Sequence, residues 1–177
     1  MRTLDLLVKA SLLTSAVLLY TSPTYILSEK NPSVNVKAEV LTINMDDAKV
    51  QWCKNRVNCI KMSEALYFEA RGEGKRGMHA VANVITNRMK ESGQTAYQVI
   101  TKPKQFSYLG RESLAITDAE SYRMAQLLAV DALTGKLDDI TKGATHYVAP
   151  KKLKRVPKWT KTFPKTIAIN DHQFYRG

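Results

Sequence analysis

The chain has 177 residues, which suits one domain with a short appendage rather than several domains. Its formal net charge of +11 predicts an anionic partner such as nucleic acid, a membrane surface or a polymer of the bacterial envelope. The sequence has neither zinc-finger spacing nor a basic region followed by heptads, which argues against nucleic acid.

The N-terminus has the features of an export signal. Arg2 and Lys9 precede an uncharged run over residues 10–27, and its apolar core has the length of a signal-peptide core. Serine, threonine and proline dilute this run, whereas a stable membrane span needs about 20 strongly apolar residues. We therefore predict that residues 1–28 are a cleaved signal peptide or a weak signal anchor that associates transiently with the inner membrane. The predicted location is the periplasm or cell envelope, with the protein secreted or weakly tethered.

A polar segment and a pair of cysteines follow the export signal. Residues 29–50 mix charged and apolar side chains and are interpreted as a linker to a domain over residues 51–177. Cys53 and Cys59 are the two cysteines of the chain, and in an exported protein they are expected to form a local disulfide. In a cytosolic chain they would be free thiols.

The first candidate catalytic group is Glu69. It lies near the end of a helix predicted over about residues 58–71, and Gly72 and Gly74 stop that helix. Its apolar and aromatic neighbours partly remove the carboxylate from water, and desolvation disfavours the charged form of a carboxylate. A general acid needs this because it must carry a proton near neutral pH. The alternative is an ordinary surface carboxylate at a helix end.

Three more helices are predicted after Glu69. The first covers about residues 75–90 and has one apolar face. On its other faces lie Asn83, Asn87 and Arg88, which either bind sugar groups or, by default, serve in capping and surface pairing. A short helix follows at residues 97–100. A longer scaffold helix opens with a capping box, Thr117 to Glu120, and stops at Gly135.

The C-terminal part lacks the helical pattern of the preceding residues and predicts a small β-containing lobe. Residues 143–150 are β-prone, and residues 166–169 and 172–175 are short strand candidates. The lysine-rich segment 151–165 between them is a solvated basic face that could also contact anionic envelope components. Within it, Trp159 is either a core residue or a platform that stacks on sugar rings. The whole pattern indicates an α+β domain that is mainly helical.

Four ordered groups of residues resemble the SleB-like family of cell wall hydrolases, whose type members are spore cortex-lytic enzymes. They are Glu69–Glu73 with Gly77–Arg88, then Lys104–Ser107, then Gly143–Tyr147, and finally His172–Tyr175. One such segment would be weak evidence, but four in order are specific. The sequence departs from the family pattern at Gly74, where proline is common, and at Tyr108, where tryptophan often lies nearby. These departures concern substrate preference more than activity.

The resemblance implies a lysozyme-like domain that cleaves the β-1,4 bond between N-acetylmuramic acid and N-acetylglucosamine in peptidoglycan. It implies a lytic transglycosylase in which Glu69 is acid and then base, and the C6 hydroxyl of N-acetylmuramic acid is the nucleophile. No cofactor or metal is required, and some phage endolysins have a similar weak anchor. The implied substrate-binding or supporting residues are Glu73, Gln105, Phe106, Ser107, Thr145, His146, Tyr147, Trp159, His172 and Tyr175.

Three other functions stay open at the level of sequence. An ordinary glycosidase needs a second carboxylate about 5–9.5 Å from Glu69, and Glu73 and Asp171 are the first candidates. A zinc-dependent N-acetylmuramoyl-L-alanine amidase would need a cluster of ligands, but the chain has no His-Glu-x-x-His pattern. A non-catalytic basic module that binds the envelope would depend on charge alone.

Overall fold

The computed structural model describes residues 44–111 and 114–177. The predicted export signal and most of the predicted linker lie outside these residues. Within them, no helix has both the length and the apolar character needed to cross a membrane. The described chain forms five α-helices and one three-stranded sheet. Their bounds are α1 Met45–Lys54, α2 Val57–Ala70, α3 Gly74–Ser92, α4 Ala96–Thr101, α5 Ala119–Leu133, β1 His146–Val148, β2 Lys165–Ile169 and β3 His172–Tyr175.

The helix α1 extends the domain into the segment interpreted as linker. Residues 45–50 of that segment are helical rather than extended. Asn44 caps the helix, because its side-chain oxygen accepts a hydrogen bond of 3.0 Å from the backbone N–H of Asp46. The helix was difficult to predict because Val50 and Cys53 are its two buried residues, so it has no clear apolar stripe.

Two connections hold α1 in place. Cys53 and Cys59 form a disulfide that joins the end of α1 to the first turn of α2, and both side chains are fully buried. Lys49 contacts Asp131 of α5, with 2.8 Å between Nζ and Oδ1. The disulfide therefore fixes the entry to the helix that carries Glu69.

The helix α2 is the centre of the core and packs against α3, α4 and α5. Its Tyr67 is fully buried, and the phenol oxygen accepts hydrogen bonds from the backbone N–H groups of Thr117 and Asp118. Asp118 is the N-cap of α5, since its carboxylate accepts from the N–H of Ser121 at 2.9 Å. The predicted cap at Thr117 is wrong by one residue, because the Thr117 N–H is used by Tyr67.

A tight turn connects α2 to α3. After Ala70 the chain makes a single 3₁₀ turn over Arg71–Glu73, and Gly74 follows with φ of +64°, a conformation that favours glycine. A Cβ atom at Gly77 would lie 2.2 Å from the Cβ of Glu73. Glycine at this second position therefore lets the Glu73 side chain lie flat against the first turn of α3.

The sheet has the strand order β1-β3-β2, and both pairings are antiparallel. Tyr147 pairs with Phe174, and Ile169 pairs with His172. The sheet packs on α3 through a second, smaller core of Ala80, Val84, Ala144, Ile169 and Phe174. The prediction of a mainly helical α+β domain with a C-terminal β-containing part is confirmed.

Candidate active site

The loop after α4 places a serine next to the end of α2. Phe106 and Tyr108 are buried, so Ser107 between them is turned outward. The ring of Tyr108 stacks on Phe68 of α2, with 5.3 Å between centroids and 27° between planes. Two buried aromatic anchors therefore hold the backbone of Ser107 beside Glu69.

Glu69 accepts hydrogen bonds at both carboxylate oxygens. Ser107 donates to Oε1 from its backbone nitrogen at 2.8 Å and from its hydroxyl at 3.0 Å. Tyr147 of β1 donates its hydroxyl to Oε2 at 3.3 Å. The carboxylate is half-buried. These contacts orient Glu69 while leaving Oε2 with a single, long hydrogen bond.

Tyr147 and His172 form the wall behind the carboxylate. Their rings meet edge to face with 5.1 Å between centroids. Burial, followed by the nearby charge of Glu69, raises the pKa of Tyr147 well above its ordinary value, so its hydroxyl stays a donor. Burial also lowers the pKa of His172, which is 6% exposed and whose Nδ1 has no partner among the described residues. We therefore expect a neutral His172 at pH 7.

A groove of about 990 Å³ runs over Glu69. Within the described part of the chain, Glu69 is the one carboxylate that lines it. Aromatic, basic and amide side chains supply much of the rest of its surface. Its lining residues include Phe68, Glu69, Arg88, Lys104, Gln105, Phe106, Ser107, Arg111, Tyr147, Lys152 and His172.

Arg88 is a groove residue that sequence reasoning assigned by default to surface pairing. Its Nε donates to the carbonyl of Thr145 at 2.6 Å, and its guanidinium lies 5.8 Å from the centre of the Phe106 ring. Burial lowers the pKa of Arg88, yet no acid pairs with it in the described structure. The sequence signal that could have indicated a groove position for Arg88 was its place in the family-like segment Gly77–Arg88.

The family model for cell wall hydrolases matches residues 72–175. The chain belongs to this family. The prediction from the four ordered segments is thereby confirmed. Because the match begins at Gly72, the assignment of Glu69 rests on the geometry described above rather than on the model.

Individual relatives agree with the family match. The spore cortex-lytic enzyme of Bacillus cereus is 34% identical over 115 residues, which is 64% of this chain and 42% of the relative. That of Halalkalibacterium halodurans is 35% identical over 115 residues, 64% of this chain and 33% of the relative. The chain thus spans less than half the length of these curated relatives.

Two solved structures of SleB catalytic domains are similar to this cell wall hydrolase. The catalytic domain of the germination-specific lytic transglycosylase SleB from Bacillus anthracis has a TM-score of 0.56 and 32% identity, and the similarity covers 68% of this chain and 96% of that one. The catalytic domain of Bacillus cereus SleB has a TM-score of 0.54 and 32% identity, covering 67% and 90%. At this identity the lysozyme-like fold of the domain is shown.

Glu73 has a structural task in this cell wall hydrolase. Its side chain is 6% exposed and accepts from Lys152 Nζ at 2.9 Å and from the backbone N–H of Asp171 at 3.1 Å, while its carbonyl accepts from Asn170. Burial works to raise the pKa of Glu73, but these hydrogen bonds outweigh it and lower the pKa. Neither Glu73 nor Asp171 lines the groove. Glu73 therefore ties the α2–α3 turn to the β2–β3 turn.

Three residues that the resemblance implied to bind or support the substrate do not line the groove over Glu69: His146, Trp159 and Tyr175. Tyr147 and His172 lie on the face of the sheet that meets Glu69, whereas neighbouring strand residues point to the opposite face. His146 and Tyr175 on that opposite face both pack against Trp159, with ring centroids 5.1 and 5.3 Å apart. Trp159 is thus part of an aromatic cluster and does not line the groove.

Thr145 does not line the groove over Glu69 either. It is buried, and its hydroxyl donates to the carbonyl of Gly177 at 2.7 Å. Thr145 and His146 line a separate cavity of about 280 Å³, which adjoins the groove because Arg88 and Gln105 line both. Thr145 therefore supports the C-terminus rather than the surface around Glu69.

The two asparagines of α3 hold the segment that leads into β1. Asn83 donates to the carbonyl of Asp138 and accepts from the N–H of Ile140, both at 3.0 Å. Asn87 donates to the carbonyl of Ala144 at 3.0 Å. Their role is structural, and it positions Tyr147 indirectly.

Proposed function

We propose that this cell wall hydrolase cleaves the β-1,4 bond between N-acetylmuramic acid and N-acetylglucosamine in peptidoglycan, acting as a lytic transglycosylase. The observation that carries the proposal is the carboxylate of Glu69, oriented by Ser107 and Tyr147 at the floor of a groove large enough for several sugar rings. The family match and the similarity to SleB catalytic domains support the same reaction class.

The two oxygens of Glu69 have different tasks in this proposal. Oε1 is occupied by two donors from Ser107, so the proton is carried by Oε2. Oε2–H protonates the leaving glycosidic oxygen as the bond to C1 breaks. The resulting carboxylate then takes the proton of the C6 hydroxyl of N-acetylmuramic acid, whose oxygen bonds to C1 and closes the 1,6-anhydro ring. Glu69 ends the cycle protonated, and no water is consumed.

A hydrolytic glycosidase is the nearest competitor, and it needs a second carboxylate about 5–9.5 Å from the first. Neither Glu73 nor Asp171 lines the groove. Glu73 accepts from the backbone N–H of Asp171, and both acids pair with Lys152 at the edge of the groove. Other acids deserve a direct test. Glu64 lines a cavity beside the groove, and Glu112 follows Arg111 in the chain but lies outside the described residues.

Mass spectrometry of the products from purified peptidoglycan tests the proposal. The full chain should release muropeptides that end in 1,6-anhydro-muramic acid. Glu69→Gln should release none, while Glu64→Gln and Glu112→Gln should release the same products as the wild type. Reducing ends in place of anhydro ends, lost in one of these two control variants, would establish a hydrolase instead.

The zinc amidase and the non-catalytic module gain no supporting observation. In residues 44–111 and 114–177, no three side chains of the metal-ligating types are grouped. His79 bonds the carbonyl of Asp138, and His146 packs in the aromatic cluster with Trp159. Free stem peptides whose release stops on adding a chelator would nevertheless move the assignment to the amidase. Binding to the wall without any product would leave only the module.

We propose further that the chain acts in the periplasm or cell envelope and is exported through residues 1–28, which associate transiently with the inner membrane. The disulfide between Cys53 and Cys59 supports export, because disulfides persist in oxidising compartments. The masses of the protein recovered from membrane and soluble fractions test this. A chain found only in the cytoplasm with free thiols would contradict it.

A further inference from the structure

The groove has more positive charge than cleavage of a glycan requires. Arg88, Lys104, Arg111 and Lys152 line it, against the single carboxylate of Glu69 among the described lining residues. In a peptide-bearing strand the sugars on both sides of the proposed scissile bond are uncharged, because the lactyl carboxyl group of N-acetylmuramic acid is in amide linkage to the peptide. Hydroxyl and acetamido recognition therefore does not explain four cations. Some other part of the substrate must supply the negative charge.

Two of the four cations are already committed to the protein. Lys152 is paired with Glu73 at 2.9 Å, and Arg88 donates its Nε to the carbonyl of Thr145. Lys104 and Arg111 remain; both are exposed, and neither has an acidic partner within the described structure. We call these two residues the basic rim.

The basic rim is close to the catalytic carboxylate. Arg111 donates its Nε to the carbonyl of Ser107 at 3.1 Å, and the N–H of Ser107 in turn donates to Glu69. With Nε engaged, the terminal nitrogens of the guanidinium remain for an external carboxylate. Ser107 is thus the single residue that links Arg111 to Glu69 through hydrogen bonds, and a ligand bound by Arg111 lies near the catalytic carboxylate.

Lys104 of the basic rim has a strained backbone. Its φ is +64°, in the left-handed region that costs a residue with a side chain on the order of 1 kcal/mol. A glycine would adopt this conformation without strain, as Gly110 does at the other end of the same loop. Glycine can therefore replace Lys104 and remove its ammonium group without straining the backbone.

We propose that the basic rim binds the carboxylates of the stem peptides attached to N-acetylmuramic acid, so that the substrate is a peptide-bearing glycan strand rather than a naked one. The inference rests on the proposed function, because it names the strand that the same groove takes. Stem peptides begin at the lactyl group beside the scissile bond and carry free carboxylates. They are therefore the anions that accompany the uncharged sugars into the groove.

The test compares cleavage kinetics on three forms of purified peptidoglycan freed of teichoic acids. One carries intact peptides, one carries peptides with their carboxylates converted to amides, and one is stripped of peptides by an amidase and has the lactyl carboxylates that this step frees converted to amides. Lys104→Glu should raise KM on intact strands about five-fold at low salt, with most of the effect lost in 0.5 M NaCl. On the amidated and stripped strands it should change KM less than two-fold. Lys136→Glu, the same charge change at the exposed end of α5, should leave KM unchanged on all three.

Lys104→Gly separates charge from folding. Because it relieves the strained backbone, its melting temperature should equal or exceed that of the wild type, while its KM on intact strands still rises two- to three-fold. Equal KM changes on all three substrates, or none on intact strands, would overturn the inference and leave the proposed function standing. No cleavage of any form by the wild type would overturn both.

Discussion

Replacing Glu73 by glutamine separates the two glutamates of the motif, because it should destabilise the fold without removing activity. The buried carboxylate accepts two hydrogen bonds, from the Asp171 N–H and from Lys152. A hydrogen bond to a charged group contributes about 1.5–3 kcal/mol, whereas the ion pair itself adds about 0–1 kcal/mol because Lys152 is 59% exposed. Glutamine keeps one oxygen acceptor, so we expect a loss of about 2 kcal/mol at pH 7. For a domain of this size that lowers the melting temperature by roughly 8 °C.

The pH dependence of this loss follows from the lowered pKa of Glu73. A carboxylate whose pKa is depressed in the folded state stabilises the fold above its ordinary value of 4.5, and this stabilisation is lost as pH falls through the folded pKa. Since glutamine resembles the protonated acid, the difference between wild type and variant should become smaller as the pH falls below 4.5.

Thermal unfolding followed by circular dichroism at pH 7 and pH 3 measures both effects. Glu64→Gln is the control, because Glu64 makes a single half-buried i,i+3 contact with Lys61 and its replacement should cost less than about 1 kcal/mol. Equal melting temperatures at pH 7, or a difference as large at pH 3 as at pH 7, would refute the account of Glu73. Turnover of Glu73→Gln below its transition should stay within about three-fold of wild type.

Three further variants probe the same site and its support. Tyr147→Phe removes the hydrogen bond to Oε2 of Glu69 and should slow turnover about five- to ten-fold with little change in melting temperature; unchanged turnover would contradict the role of this bond. Replacing Cys53 and Cys59 together by alanine should lower the free energy of unfolding by about 2 kcal/mol, and reduction of the wild type should give a similar loss. No loss on reduction would show that the disulfide is absent in solution. Burial lowers the pKa of His172 below 6.5, so the free energy of unfolding should decrease as the pH falls below 6.5. The variant His172→Gln should lose less stability than the wild type between pH 7.5 and 5.5. Parallel losses would show that His172 does not titrate in this range.

Apolar periodicity was sufficient to predict most of the helical scaffold. The helices α2, α3 and α5 each bury a face whose residues recur at helical spacing, and their ends carry glycine or capping residues that are visible in the sequence. The helix α1 lacked this signal, because its attachment depends on a disulfide and on the pair of Lys49 with Asp131, which is far away in the chain. The disulfide was expected from the two cysteines, but the pair of Lys49 with Asp131 spans 82 residues and leaves no local pattern.

The candidate site shows the same division. Ser107 was suggested by the family segment around it, and it does lie against Glu69. Tyr147 and His146 are neighbours in β1, so their side chains lie on opposite faces of the sheet. The sequence did not give the exact bounds of this strand, and the two faces were therefore not assigned. The structural role of Glu73 could not be predicted from the sequence, because its partners Asn170 and Asp171 lie in the β2–β3 turn and approach Glu73 only in the folded chain.

Turnover of peptidoglycan by Glu69→Gln tests the central claim most directly. The substitution keeps the size of the side chain but removes its ability to carry and return a proton. We predict a fall in turnover of at least about 10³-fold, with an unchanged melting temperature and unchanged binding to the insoluble wall. A variant that folds, binds and retains more than a tenth of wild-type turnover would contradict the assignment of Glu69 as acid and base.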